Sequence, residues 1–235
     1  MDVIIVGANI GGSVAAGDLA ASGANVTLLE RDLARKKPCG GAIPPKAVSE
    51  FGIPNSIIER KTTRAVMIGP SGTVSGMDVR GTRPREDDYI CMVTRERLDR
   101  AMREKAQEAG ADLREASFVS HEEDAHGKVH VKIRYRGGRE ETLVADALVG
   151  ADGAGSTVAK SCGRPAIKHA SAIQERLELS PTRRWNTIRI RPNSTSATTS
   201  RPTSTVGCFP RAITWPSVPV AARSMPIAPT RFSKA

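Results

Sequence analysis

The 235 residues include 35 lysines and arginines against 25 aspartates and glutamates, a formal net charge of +10. A surplus of that size ordinarily suggests nucleic acid or an anionic membrane as partner. Here nine of the basic residues and none of the acids lie between Ser180 and Ala235, which leaves 26 basic against 25 acidic residues in the first 179. The body is therefore nearly neutral, and no nucleic-acid partner is expected. Cys39, Cys91, Cys162 and Cys208 form no C-x-x-C pair, and His121, His126, His130 and His169 show no metal-binding spacing, so neither a metal site nor a disulfide framework is expected. No apolar run approaches the roughly 18 residues of a membrane span. The chain passes from Met1 directly into a strand pattern, so no leader is predicted and the expected setting is reduced and cytoplasmic.

The stretch from Asp2 to Arg31, "DVIIVGANIGGSVAAGDLAASGANVTLLER", reads as a βαβ unit. Val3 to Val6 suit a buried parallel strand, and Gly7, Gly11 and Gly12 allow a tight turn. The small residues from Ser13 to Ser22 suit a helix pressed on a sheet, and "NVTLLE" ends a second strand at Glu30. Such a unit aims a helix N-terminus at a pyrophosphate and an acid at a ribose hydroxyl. Asn9 replaces the second glycine of the fingerprint; asparagine tolerates positive φ, but its side chain crowds the phosphate approach. Glu30 favours a free 2′-hydroxyl, hence FAD or NAD.

Next, "PCGGAIP" (Pro38 to Pro44) gives a rigid entry followed by backbone that can approach a flat ligand closely. Cys39 reads either as a thiol beside a reacting carbon or as a small packing residue. Residues 61–92 hold short apolar stretches between glycines and prolines, predicting strands of a mixed sheet. In "MVTRERLDRAMREKAQEAGADL", Leu98, Ala101, Met102, Ala106 and Ala109 share one helical face, Gly110 is the stop, and the charges suggest a solvated opposite face. Val129, Val131, Ile133 and Tyr135 alternate with polar residues and predict a half-buried strand, with "GGREETLV" as its hairpin partner. "ETLVADALVGADGAGSTVAK" predicts a strand, a tight turn and a new helix. That turn gathers Asp152, Gly153 and backbone N–H groups, as ribitol hydroxyls or a phosphate require, or is an ordinary strand-to-helix connection. Cys91 and Cys162 read as small core or turn residues.

The glycine turn, the stretch from Arg95 to Asp99 and the G-A-D-G turn from Gly150 to Gly153 together resemble the FAD-binding fold of the p-hydroxybenzoate hydroxylase-like flavoproteins. The unbroken Pro38–Pro44 stretch, "FGIP", "IIERK" and "AVMIGPSG" are similar to the chlorophyll-type branch of the geranylgeranyl reductases, and the resemblance runs from Asp2 to about Leu179. It implies an α/β fold with a Rossmann-like βαβ core and an antiparallel sheet layer. It implies FAD held by Gly7, Asn9, Gly11, Gly12, Glu30, Arg31, Cys39, Gly40, Gly41, Arg95, Asp152 and Gly153, with Cys39 as the catalytic candidate. The implied activity is reduction of isolated C=C bonds in a geranylgeranyl chain, with NADPH as electron donor. The substrate would be a prenyl diphosphate or a prenylated pigment or lipid, which leaves peripheral membrane contact open. An aromatic hydroxylase of the same fold, or a non-enzymatic remnant, are the alternatives.

After Leu179 the resemblance stops and acids vanish together. Codons for "RPTSTVGCFPRAIT" can be chosen that, two nucleotides on, read PDFYGWVFPKGDH, which contains the Y-x-W-x-F-P pattern of the reductases. Residues 1–179 are therefore expected to form an FAD-binding domain with the start of a truncated substrate region. Residues 180–235 are expected to be an out-of-frame or disordered basic tail, with weak flavin binding as the consequence.

Overall fold

The computed structural model describes residues 1–68, 73–80, 88–165, 197–198 and 207–208. Strand β1 (Asp2–Val6) is followed by helix α1 (Ile10–Ala21) and strand β2 (Asn25–Glu30), so the helix begins three residues earlier than its small-residue run suggested. β1 and β2 pair in parallel, with Val6 beside Leu29. Ile5, Val26, Leu28 and Leu29 are fully buried. Burying each such aliphatic side chain contributes about 1.5–3 kcal/mol, so these strands form the most heavily anchored part of the sheet.

A short strand β3 (Ala42–Ile43) leads to helix α2 (Pro45–Glu50), where Pro45 occupies a first-turn position that needs no N–H. Three more strands follow in β4 (Arg60–Thr62), β5 (Arg64–Ile68) and β6 (Val74–Asp78), and then β7 (Ile90–Met92). Sequence reading placed the strands of 61–92 in one mixed sheet; they fall into two antiparallel ones instead. β7 lies between β3 and β4, while β5 and β6 form a separate hairpin. Short apolar runs disclose a strand but not its partner, which is why the distinction was not legible.

Helix α3 (Arg95–Glu108) packs against α1, where the absence of a side chain at Gly17 lets the backbone of Ala106 approach. Gly110, at φ 106°, ends the helix as expected. Leu98 and Met102 are buried with Ile53 and Val93, and Ile10 and Val14 of α1 cover this cluster. The twelve-residue strand β8 (Asp112–Glu123) serves two sheets. Asp112 to Glu115 run parallel to β2, and the part from Ala116 runs antiparallel to β9 (Val129–Tyr135). The change of partner falls between Glu115 and Ala116, and an irregularity between Phe118 and Ser120 lies within the pairing with β9. The expected alternation on β9 holds, with Val131 and Ile133 fully buried.

β10 (Glu140–Ala145) is the predicted hairpin partner of β9, and β11 (Ala147–Gly150) then returns beside β1 in parallel. The main sheet has the order β10-β9-β8-β2-β1-β11, a parallel layer continued by an antiparallel one. Helix α4 (Thr157–Ser161) follows the turn after β11. Within the stretch read as out of frame, β12 (Ala197–Thr198) and β13 (Gly207–Cys208) pair antiparallel. The remainder of 180–235, the "ASAIQERLEL" segment and residues 69–72 of "AVMIGPSG" lie outside the described residues.

Candidate functional site

The parallel register brings three strand ends to one edge. Val6 lies beside Leu29 and Gly150, and Glu30 beside Glu115. Ligands of open α/β sheets bind outside such carboxyl ends. A cavity of about 490 Å³ opens there, lined by Gly7, Asn9, Glu30, Arg31, Asp152 and Gly153 of the expected residues. Gly11, Gly12, Cys39, Gly40, Gly41 and Arg95 are not in its lining.

The glycines divide by what they face. A Cβ on Gly12 would sit 1.8 Å from the Gly7 carbonyl oxygen, and one on Gly7, at φ +104°, would sit 2.5 Å from that of Ala151. These two close the turn against the protein itself. Gly11, by contrast, is exposed with nothing within 4 Å of a Cβ position, and Gly153 and Gly155 are likewise open. Asn9 sits at φ −80°, so its tolerance of positive φ is not called upon; its side chain makes no hydrogen bond to the helix it precedes. Asn9 lines the cavity, and its amide is not spent on a cap.

Glu30 accepts a hydrogen bond from the Ala8 N–H at 3.0 Å, which ties the end of β2 to the glycine turn. Opposite it, Asp152 holds the start of α4. Its Oδ1 accepts from the Ser156 hydroxyl at 2.5 Å, and its Oδ2 accepts from the Thr157 N–H at 2.6 Å and the Val158 N–H at 3.3 Å. Ser156 in turn accepts from the Ala159 N–H. The carboxylate expected at the ligand therefore also organises the turn that presents it.

The second group of expected residues meets the cavity through Asp99, the end of the Arg95–Asp99 stretch, for which the sequence suggested no role of its own. Asp99 lines the cavity, is 5% exposed, and pairs with Arg95, 8% exposed, on the adjacent turn of α3. The Arg95 Nη2 donates to both Asp99 oxygens, at 2.8 and 3.1 Å, and Nε donates to Oδ1 at 3.3 Å. Burial works against the guanidinium charge, but Asp99 and then the Cys39 thiol outweigh it and hold the Arg95 pKa above the ordinary arginine value. The solvated face expected for this helix thus excludes two of its charges. The signal was present as opposite charges at i and i+4, but periodicity does not say which such pair is buried. The Cys39 Sγ also receives the Gly41 N–H at 3.5 Å. Gly41 is buried, and a Cβ there would lie 2.0 Å from the Val93 carbonyl oxygen; exposed Gly40 faces open space. Arg35, Lys37, Arg103, Ser117, Phe118 and Thr157 also line the cavity, scattered through the chain with no shared pattern to reveal them.

A dinucleotide fits this arrangement on the geometry alone: an open helix start beside Asn9, a carboxylate at the end of the second strand, and a turn whose exposed glycines leave room for close approach. The FAD binding domain family matches residues 1–211. The chain belongs to that family. It is 40% identical over 187 residues to the chloroplastic geranylgeranyl diphosphate reductase of Oryza sativa subsp. japonica, covering 75% of this chain and 40% of that protein. It is also 40% identical over 158 residues to the geranylgeranyl diphosphate reductase of Rhodobacter capsulatus, covering 67% of this chain and 38% of that one. The chain thus spans about 40% of the length of these relatives. Among solved structures, a geranylgeranyl bacteriochlorophyll reductase-like protein of Thermoplasma acidophilum matches with a TM-score of 0.62 at 24% identity, over 72% of this chain and 43% of that one. At that identity the likeness establishes the fold, which is that of FAD-binding oxidoreductases. Among the described residues no helix is long and apolar enough to cross a membrane, and no cluster of metal-ligating side chains occurs.

Proposed function

We propose that this chain carries the FAD-binding part of a reductase of isolated C=C bonds in a geranylgeranyl chain. The observation behind the reading is the single connected arrangement of Glu30 and Asp152 at the cavity with Asp99, Arg95 and Cys39, in a chain 40% identical to proteins named geranylgeranyl diphosphate reductase. When bound, reduced FAD supplies a hydride. The residues then divide as follows. The start of α1, with Gly7, Asn9, Gly11 and Gly12, receives the pyrophosphate. Glu30 takes the ribose hydroxyls beside Arg31. Asp152 and Gly153 meet the middle of the cofactor. Arg95, kept charged by Asp99, fixes the Pro38–Pro44 loop through Cys39; in this reading the Cys39 thiol serves the reacting carbon, exposed Gly40 lets the flavin approach, and Gly41 closes the loop on Val93.

The proposed electron donor is NADPH, and the proposed substrate is a prenyl diphosphate or a prenylated pigment or lipid. The tail substrate would be drawn from a bilayer by peripheral contact. Residues 1–179 form the FAD-binding domain with the start of the substrate region, and residues from about Ser180 are translated out of frame. Aromatic monooxygenases share the fold, including a p-nitrophenol 4-monooxygenase of Pseudomonas putida at a TM-score of 0.59, but the Pro38–Pro44 stretch favours the reductase.

The test compares two proteins, the chain as written and one from a gene in which the frame after Leu179 is shifted by two nucleotides. Each is incubated with FAD, NADPH and geranylgeranyl diphosphate. The frame-restored protein is expected to retain flavin and yield product heavier by pairs of hydrogens; the chain as written should bind FAD weakly, yet more tightly than FMN. Stoichiometric flavin on the chain as written would overturn the reading of the tail. NADPH oxidation driven by an aromatic compound and not by the prenyl substrate would overturn the reductase.

A further inference from the structure

Outside the cavity lining, side chains from two distant parts of the sequence form a nucleophile, a base and a group that orients the base. His121 lies near the end of β8, while Ser161 and Cys162 close α4. The His121 Nδ1 is 3.0 Å from the Ser161 Oγ, and the Cys162 Sγ is 3.8 Å from the other ring nitrogen, Nε2. The Phe118 ring lies beside the imidazole, with centroids 6.3 Å apart.

Hydrogen-bond accounting fixes the tautomer. The Ser161 hydroxyl donates its one proton to the Val158 carbonyl oxygen at 2.8 Å, and a carbonyl can only accept. Toward His121 the hydroxyl oxygen must therefore accept, so Nδ1 carries the ring proton. Nε2 is left with a lone pair facing the Cys162 thiol. A thiol beside an oriented base is the arrangement that activates cysteine nucleophiles. Cys162 is also exposed, whereas Cys91 is buried and its thiol is pushed up by that burial, a rise only partly opposed by Lys61. Cys39 is half-buried and engaged with Arg95.

We propose that Cys162 is a modification site, a thiol activated by His121 that exchanges with low-molecular-weight disulfides. The thiol proton passes to the His121 Nε2. The sulfur attacks one sulfur of the reagent R–S–S–R, whose S–S bond breaks as the Cys162–S–S–R bond forms. The departing R–S⁻ is reduced as Cys162 is oxidised, and it takes the proton back from His121, so protons and electrons balance. The modified residue closes the same helix that Asp152 starts, which puts the adduct on an element of the cavity wall.

The full chain is treated with oxidised glutathione at neutral pH, and the adduct at each cysteine is followed by peptide mass spectrometry. In the folded chain Cys162 is expected to react at least about tenfold faster than in the same chain unfolded in urea, below the ~10²–10⁴-fold that a positioned base typically supplies. His121→Gln should bring the rate down to the unfolded value. Ser161→Ala should lower it and Ser161→Thr, which keeps the hydroxyl, should restore it. The proposal is overturned if Cys162 reacts no faster folded than unfolded. It is equally overturned if His121→Gln leaves the rate unchanged in a chain whose circular dichroism matches the parent.

Discussion

Removing the Asp99 carboxylate isolates a guanidinium inside the protein. The two side chains are 10% and 7% exposed, and Arg95 spends three donor contacts on this one partner. Breaking a buried pair from one side costs about 3–5 kcal/mol, because the remaining charge has lost water and here keeps only the weakly accepting Cys39 sulfur. Domains of this kind have about 5–15 kcal/mol in total, so Asp99→Ala is expected to remove a large fraction of the stability. At a urea slope of about 2 kcal/mol per molar, the unfolding midpoint should fall by about 2 M. Asp99→Asn keeps one acceptor oxygen in the same shape and should cost less, roughly 1.5–3 kcal/mol. The double variant Arg95→Met with Asp99→Leu removes both charges and fills the space, so it should lose less than either single change. Urea titrations followed by circular dichroism supply all of these values. A loss below about 1 kcal/mol for Asp99→Ala, or strict additivity in the double variant, would refute the view that this pair is a buried, mutually dependent unit.

Two helix-start glycines one residue apart should respond in opposite directions. Gly12→Ala drives a methyl into the Gly7 carbonyl and is expected to cost several kcal/mol in the same titration, at least about 3. Gly11→Ala meets open space and should be neutral or stabilising by up to about 1 kcal/mol, while weakening FAD binding in a fluorescence titration. Gly41→Ala, at φ +75° and 2.0 Å from the Val93 carbonyl oxygen, should destabilise as Gly12→Ala does, read as a lowered melting temperature. The Asp124 carboxyl lies below the usual carboxylate range because His130, then the Lys128 N–H, bond to its charged form. A depressed folded pKa contributes stability that is complete above the unfolded value and lost as pH falls through the folded one. Melting temperatures should therefore drop below about pH 4, and Asp124→Asn should flatten that part of the profile.

The βαβ unit was legible because each of its signals is local: the apolar run from Val3, the glycines after it and the acid at Glu30 all fall within thirty residues. The β9–β10 hairpin was legible for the same reason, since Val131 and Ile133 alternate with polar neighbours beside a glycine pair. What escaped the sequence depends on pairings across long separations. Nothing in Ile90–Met92 says that it lies between β3 and β4, and nothing in β8 says that it passes from β2 to β9 after Glu115 or that Phe118 reaches the cavity. Asp99 is the instructive case at the site. Its spacing from Arg95 was visible, but an i, i+4 ion pair on a helix ordinarily lies in solvent, and only the contact of the Pro38–Pro44 loop with α3 through Cys39 reveals this one as covered.

Glycine count alone is a weak guide to ligand binding, and this chain shows why. Gly7, Gly12 and Gly41 would each strike a backbone carbonyl if they carried a methyl group, so the fold requires them whether or not a cofactor is present. Gly11, Gly40, Gly153 and Gly155 meet nothing, and the last two line the cavity. Gly153, at φ +89°, needs glycine for its own backbone, but Gly11, Gly40 and Gly155 could be alanine at no steric cost to the protein. Glycine there is explained by a close neighbour that the polypeptide does not itself supply. Asn9 belongs with this second set, because it takes the place of a glycine yet adopts an ordinary φ and leaves its amide unspent on the helix. The substitution therefore exchanges close approach for a donor at the same point. A pyrophosphate oxygen is the group that could accept from it, so the departure from the glycine fingerprint is compatible with a dinucleotide cavity.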